Sequence, residues 1–223
     1  MMKAVLFDFN GTLFFDTDIH IDVWKKYIKE KLNIEFTTEE FLKRIFGRDN
    51  NAIIADIFNT HDLDEIHRIS EEKEQRYRDV CSTMDIALTK GATEFFDLLK
   101  EKQIPFTIAT GANKSNVDYY FEVFHLDKWF DYDKVIYDDG YLPGKPDPTI
   151  YKLACEKLGV DPKDAMVIED SPAGVIAAKK AGISDIYVIS PKKKFPLEVK
   201  GIVCDFEELR DLLCWKQKDR SFA

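Results

Sequence analysis

Asp8 stands directly after the apolar run Ala4, Val5, Leu6 and Phe7, three residues before Gly11. A run that short suits a buried strand rather than a globular helix, and Gly11 permits the tight turn by which a strand leaves its sheet. A carboxylate placed there can serve as a nucleophile or a metal ligand; it can also do no more than cap the loop. Two other places share this setting, and a loop adds a lysine. Thr110 follows the apolar run 106–109, Glu169 and Asp170 follow the run 165–168, and Lys145 lies in the loop 144–148. Brought together, Asp8, Glu169 and Asp170 repel one another unless protonated or bridged by a cation, and an all-oxygen cluster suits Mg2+. Lys145 is a point charge for a phosphoryl oxygen. The Thr110 hydroxyl and the backbone N–H groups of Gly11, Ala112 and Asn113, around Gly111, offer further donors. A carboxylate nucleophile, a divalent cation, a lysine and several donors fit phosphoryl transfer through an aspartyl-phosphate. Singly, each has a plainer reading: Lys145 as a solvated lysine, Thr110 as a strand end, Glu169 and Asp170 as a cap for the helix that Pro172 opens. Such plain readings do not explain why all of them occur in order at strand ends.

The elements between these residues must position them. From Lys90 onward short apolar runs alternate with helical patterns, which implies a parallel sheet covered on both faces. The strand of residues 106–109 is expected to stop at Thr110 and Gly111. In such a sheet the carboxyl ends of the strands lie along one edge, so distant residues meet in one crevice. Between Asp18 and Met84 there is no strand signal. Ile19, Val23, Trp24, Tyr27, Ile28 and Leu32 recur at helical spacing, and Thr37 with Glu40 forms a capping box. From Leu63 to Met84, Ile66, Ile69, Tyr77 and Val80 are spread among many charged residues, which reads as a helix with one solvated face. A strand, an all-helical block and renewed alternation describe a helical domain inserted into an α/β domain.

Composition removes several classes of function. The 223 residues suit one large domain or a domain with an insert, and 45% hydrophobic residues can fill a sizeable core. The formal net charge of −9 opposes non-specific nucleic-acid binding and attraction to anionic membranes. No apolar stretch approaches a membrane span. Cys81, Cys155, Cys204 and Cys214 form no Cys-x-x-Cys pair, and neither a zinc knuckle nor a redox pair is visible. Reduced thiols and the lack of a secretory leader pattern lead us to expect a cytoplasmic protein.

The segments DFNGTLFFDT, ATGANKS, GKPDP and VIEDSPAGVIAAKKAG resemble the four motifs of the haloacid dehalogenase-like hydrolase superfamily, and among its members the β-phosphoglucomutase-like phosphatases with a helical cap. The resemblance implies an α/β Rossmann-like core, residues 1–16 and 83–223, and a helical cap, residues 17–82, that closes over a small phosphorylated metabolite. It implies that Asp8 is the nucleophile and that Mg2+ is held by the Asp8 carboxylate, the Asn10 backbone carbonyl and Asp170, with Glu169 close by. Thr110 and Lys145 would bind the phosphoryl group. His20, Gly47, Arg48 and Lys73 fall near substrate-contacting positions of the mutases; His20 and Trp24 fit cap packing equally well.

One residue departs from the family pattern. Where Asn10 stands, the family's phosphatases and mutases carry an Asp that acts as general acid/base. An amide cannot exchange that proton, although its backbone carbonyl can still bind a metal. General acid–base catalysis contributes about 10²–10⁴-fold, so its loss weighs most on poor leaving groups. The expected function is a Mg2+-dependent phosphatase or phosphotransferase, slow or narrow in scope. Other readings are a phosphonoacetaldehyde hydrolase-like C–P hydrolase using a cap lysine such as Lys43, a β-phosphoglucomutase, and a non-catalytic binder of a phosphorylated ligand.

Overall fold

Strands β1 (Ala4–Phe7), β2 (Phe106–Asn113), β3 (Ile136–Asp138), β4 (Ala165–Glu169), β5 (Asp185–Ile189) and β6 (Gly201–Val203) form one parallel sheet in the order β3-β2-β1-β4-β5-β6. The computed structural model of the chain describes residues 4–45 and 50–219. Successive side chains of a strand point to opposite faces, and the core follows that alternation. Val5, Phe7, Met166, Ile168, Tyr187 and Ile189 join one apolar cluster, while Leu6, Ala165, Val167, Ile186 and Val188 join another. Both faces are therefore buried, which is why these strands read as unbroken apolar runs. Phe7 is fully buried and meets the rings of Phe95, Phe96, Phe106, Phe130 and Phe206. Full burial of one such side chain favours folding by about 1.5–3 kcal/mol.

Helices α5 (Ala92–Glu101), α6 (Lys114–Phe124), α7 (Thr149–Leu158), α8 (Pro172–Lys180) and α9 (Phe206–Asp219) connect and cover the strands. Four more helices occupy the interval after β1: α1 (Thr17–Leu32), α2 (Thr38–Arg44), α3 (Asn50–Phe58) and α4 (Leu63–Cys81). They pack on a cluster of their own built from Trp24, Tyr27, Ile28, Phe41, Ile54 and Ile69, among others. Thr37 and Glu40 form the reciprocal cap expected of them. Among the described residues no helix is long and apolar enough to cross a membrane.

Chain direction in the sheet reverses at β1. The chain moves from β1 outward through β2 and β3, then returns to lay β4 on the other side of β1. The crevice at such a reversal lies outside the carboxyl ends of the central strands, here the ends of β1, β2 and β4. Two expectations are corrected. Strand β2 continues through Thr110 and Gly111 to Asn113, with a register shift between Ala109 and Asn113; its last residues pair with β3 while their side chains reach the crevice edge. Helix α4 is not simply solvated on its charged side: Lys73, Glu74 and Arg78 are buried, with Lys73 and Glu74 paired to each other and Glu74 and Arg78 both bonded to Asn116 of α6.

Candidate active site

Asp8 leaves β1 at the reversal and is 7% exposed. Lys145 brings its ammonium from the loop before α7 to 2.6 Å from Asp8 Oδ1 and 2.6 Å from Glu169 Oε1. Glu169, the last residue of β4, is fully buried. Its Oε1 also accepts from the Tyr151 hydroxyl at 2.8 Å, and its Oε2 accepts from the Asp170 and Ser171 N–H groups and the Ser171 hydroxyl. Burial alone would raise the Glu169 carboxyl; the Lys145 charge and these donors outweigh it and hold it below its ordinary range. The same balance holds Lys145 well above its ordinary value, since Asp8 and Glu169 outweigh the effect of burial. Gly174 makes this arrangement sterically feasible, because a Cβ there would lie 1.7 Å from Glu169 Oε1.

The remaining carboxylate is differently placed. Burial, then the charges of Glu169 and Asp8, push Asp170 well above its usual range. Burial also pushes Asp8 up, to about 7, with Lys145 opposing and Glu169 adding to the rise. Oxygen atoms of Asp8, Glu169 and Asp170 all lie within 4.8 Å of one another. This all-oxygen set, with one lysine among three carboxylates, suits a hard divalent cation. Of the three, Glu169 already shares its oxygens with five donors.

The donors expected around the phosphoryl group are placed less simply. Thr110 is buried beside Asn10, its hydroxyl 3.5 Å from Asn10 Oδ1. Gly11 is a correction: its N–H goes to the Phe14 carbonyl at 2.7 Å and to Asp16 Oδ1 at 3.0 Å, away from the crevice. Gly11 instead admits Asp170, since its φ is +79° and a Cβ would lie 2.1 Å from Asp170 Oδ2. Ala112 and Gly111 line the cavity, but the Ala112 N–H is taken by the Thr110 hydroxyl at 3.1 Å. Asn113 lines it too, while its side chain caps α6 and donates to Glu71.

On the helical side, a chain of polar contacts reaches Asn10. Asn10 Nδ2 donates to Asp16 Oδ2 at 2.5 Å, and the ring of His20 meets the same oxygen through Nε2 at 3.3 Å. Lys73 donates to His20 Nδ1 at 2.8 Å and pairs with Glu74 at 2.7 Å. Glu74 in turn accepts from Asn50 of α3 and Asn116 of α6. Glu74 is held down to about 2: burial would raise it, and the Lys73 charge with the Lys73 and Asn116 bonds prevails. Gly47 and Arg48, and the side chain of Lys43, lie outside the described residues. Asp16, Tyr77, Tyr120, Tyr151, Glu74 and Asn116 were not expected in the site. For Asp16 one signal existed: an acidic residue directly before a helix, but its carboxylate turns inward and makes no cap bond.

A cavity of about 310 Å³ joins both sides; Asp8, Asn10, Thr110, Lys145 and Asp170 line its floor, and His20, Trp24 and Lys73 its helical wall. The family profile of haloacid dehalogenase-like hydrolase matches residues 2–182 of the chain. The chain is 31% identical over 191 residues to a phosphorylated carbohydrates phosphatase of Thermotoga maritima, covering 83% of this chain and 84% of the relative. It is 28% identical over 189 residues to the β-phosphoglucomutase of Bacillus subtilis, covering 82% and 81%. The crystal structure of a family IA, variant 3 hydrolase from Entamoeba histolytica superposes with a TM-score of 0.85 at 38% identity, covering 93% of this chain and 95% of that one.

Proposed function

The chain belongs to the haloacid dehalogenase-like hydrolases, and on that premise we propose that it is a Mg2+-dependent phosphatase that removes a phosphoryl group from a small phosphorylated metabolite through an aspartyl-phosphate at Asp8. The observation that carries this reading is the contact of Lys145 with both Asp8 and Glu169 at 2.6 Å. A fixed cation thus stands beside Asp8, which lines the cavity and belongs to the cluster of oxygens suited to a metal. The relatives named as acting on phosphorylated carbohydrates support the substrate class.

Asp8 attacks phosphorus, and the leaving oxygen departs on the cavity side. Lys145 counters the charge on the phosphoryl oxygens, with Thr110 offering a hydroxyl. Asp8, Asp170 and the Asn10 backbone carbonyl would hold Mg2+, with Glu169 within reach; when bound, the ion supplies Lewis-acid stabilisation of phosphoryl charge. Glu169 and Tyr151 hold the Lys145 ammonium in place. Helices α1–α4, in residues 17–82, act as the cap over the core of residues 1–16 and 83–223.

A phosphate-release screen over sugar phosphates, nucleotides and phosphonates tests the reading, with and without Mg2+. Expected is Mg2+-dependent release from at least one phosphate ester, abolished in Asp8→Ala. Release that survives Asp8→Ala contradicts the nucleophile assignment, and tight phosphate binding with no turnover on the whole panel favours a non-catalytic binder.

A further inference from the structure

Asn10 is the residue whose side chain looks least suited to chemistry, and its surroundings give it a definite orientation. Its Nδ2 carries two protons. One goes to Asp16 Oδ2 at 2.5 Å and the other to the Tyr120 hydroxyl oxygen at 2.7 Å. Tyr120 donates its own proton to the Tyr77 oxygen at 3.2 Å, and Tyr77 donates to Asp16 Oδ2 at 2.5 Å. An ionised carboxylate only accepts, so every bond in this circuit has one direction. Asp16 is itself fully buried and fixed through its other oxygen by the Gly11 N–H. Turning the Asn10 amide over would set its oxygen against the Asp16 carboxylate and strand a buried acceptor. The amide oxygen therefore stays on the opposite side, toward Thr110 at 3.5 Å, in the residue set that lines the cavity with Asp8.

We propose that Asn10 Oδ1 is a fixed acceptor that orients the water attacking the covalent intermediate, and that Asp16, with Tyr77 and Tyr120, are positioning residues that lock it there. The proposal rests on the aspartyl-phosphate reading above. An amide can align an attacking water without taking its proton. In the step, the water oxygen bonds to phosphorus while the bond from phosphorus to the Asp8 oxygen breaks and Asp8 leaves as a carboxylate. One water proton stays on the new phosphate hydroxyl and the other moves to a phosphoryl oxygen. Hydrolysis of the intermediate thus needs no acid from position 10. Formation of the intermediate does benefit from one, unless the leaving oxygen is weakly basic. The site accordingly favours phosphates of acidic hydroxyls, such as an anomeric or aryl oxygen, over simple alkyl phosphates.

Rapid-quench kinetics with para-nitrophenyl phosphate and Mg2+ separate the two steps, because nitrophenolate departs unprotonated. The burst reports formation of phosphoryl-enzyme and its decay reports hydrolysis. In Asp16→Asn an amide faces an amide and Asn10 loses its lock. Expected is slowing of hydrolysis by about tenfold or more, the scale of a misaligned reactant, with formation changed by less than about twofold. Tyr120→Phe, which removes one acceptor of the Asn10 amide and the donor to Tyr77 but leaves the Asp16 contact, gives a smaller loss in the same step. Equal slowing of both steps, or unchanged hydrolysis in Asp16→Asn, overturns the proposal. Turnover in the unmutated chain with no phosphoryl-enzyme at any time removes the underlying reading itself, and the proposal with it.

Discussion

Two buried polar clusters meet at the cavity, and they are built on opposite principles. At the sheet edge, Asp8, Glu169 and Asp170 surround a single cation among the described residues, Lys145. Under the helices, acceptors and donors alternate: Asp16, His20, Lys73, Glu74 and Asn116 each meet a complementary partner. Buried charge is costly unless paired and hydrogen-bonded. The alternating cluster meets that condition from its own residues. The sheet-edge cluster does not, and its excess of negative charge appears as the upward displacement of Asp8 and Asp170. A cluster left short of positive charge is where a cation and a phosphoryl group belong; a balanced one holds geometry.

The contrast gives its largest effects through the two lysines' partners. Lys145→Met should lower turnover by roughly 10²–10³-fold, the scale for removing one transition-state donor. It should also lower the melting temperature, and Mg2+ should restore much of that loss by taking over neutralisation of the carboxylates. Glu74→Ala should remove about 3–5 kcal/mol of stability by leaving buried Lys73 without its partner, and here Mg2+ should restore nothing. Equal rescue of both variants in a thermal-shift titration would erase the distinction.

The titration of Asp8 sharpens it further. Its folded value, about 7, lies above the ordinary 3.8, so the folded chain binds a proton more tightly than the unfolded one. That contribution to metal-free stability is complete below the unfolded value and is lost as pH rises through about 7. A metal ion competes with this proton and with the one favoured on Asp170, so Mg2+ affinity should fall by about tenfold or more per pH unit below about 7. Calorimetric titration on either side checks the slope; a flat profile would mean that Asp8 is not a ligand. The smallest effect belongs to Tyr151→Phe. It removes one of two donors on Glu169 Oε1, at a cost of about 1 kcal/mol. It should show as a drop in kcat of about fivefold with little change in KM, since the residue steadies Lys145 and does not touch the substrate.

The sheet edge was legible in the sequence because each of its carboxylates follows a short apolar run and precedes a Gly or Pro that turns the chain. Asp8, Glu169 and Asp170 carry that local mark, Lys145 stands instead in the loop 144–148, and the convergence of the carboxylates follows from strand alternation. The balanced cluster carries no such mark. Lys73, Glu74 and Arg78 sit in a stretch dense in Glu, Lys and Arg, and only the packing of α4 against α1 and α6 separates the buried charges from the solvated ones. Tyr77 and Tyr120 read as ordinary helical core, and their hydroxyl bonds depend on two helices meeting. Gly11 showed the limit of local chemistry in another way. Its position marked a turn, but the direction of its N–H was set by Phe14 and by Asp16.

Intact-protein mass of the chain, acid-quenched during turnover with Mg2+ and para-nitrophenyl phosphate, tests the central claim most directly. Asp8 should carry one added phosphoryl group, located in its own peptide and missing in Asp8→Asn. Turnover with the phosphoryl group on another residue, or an adduct that persists in Asp8→Asn, would contradict it.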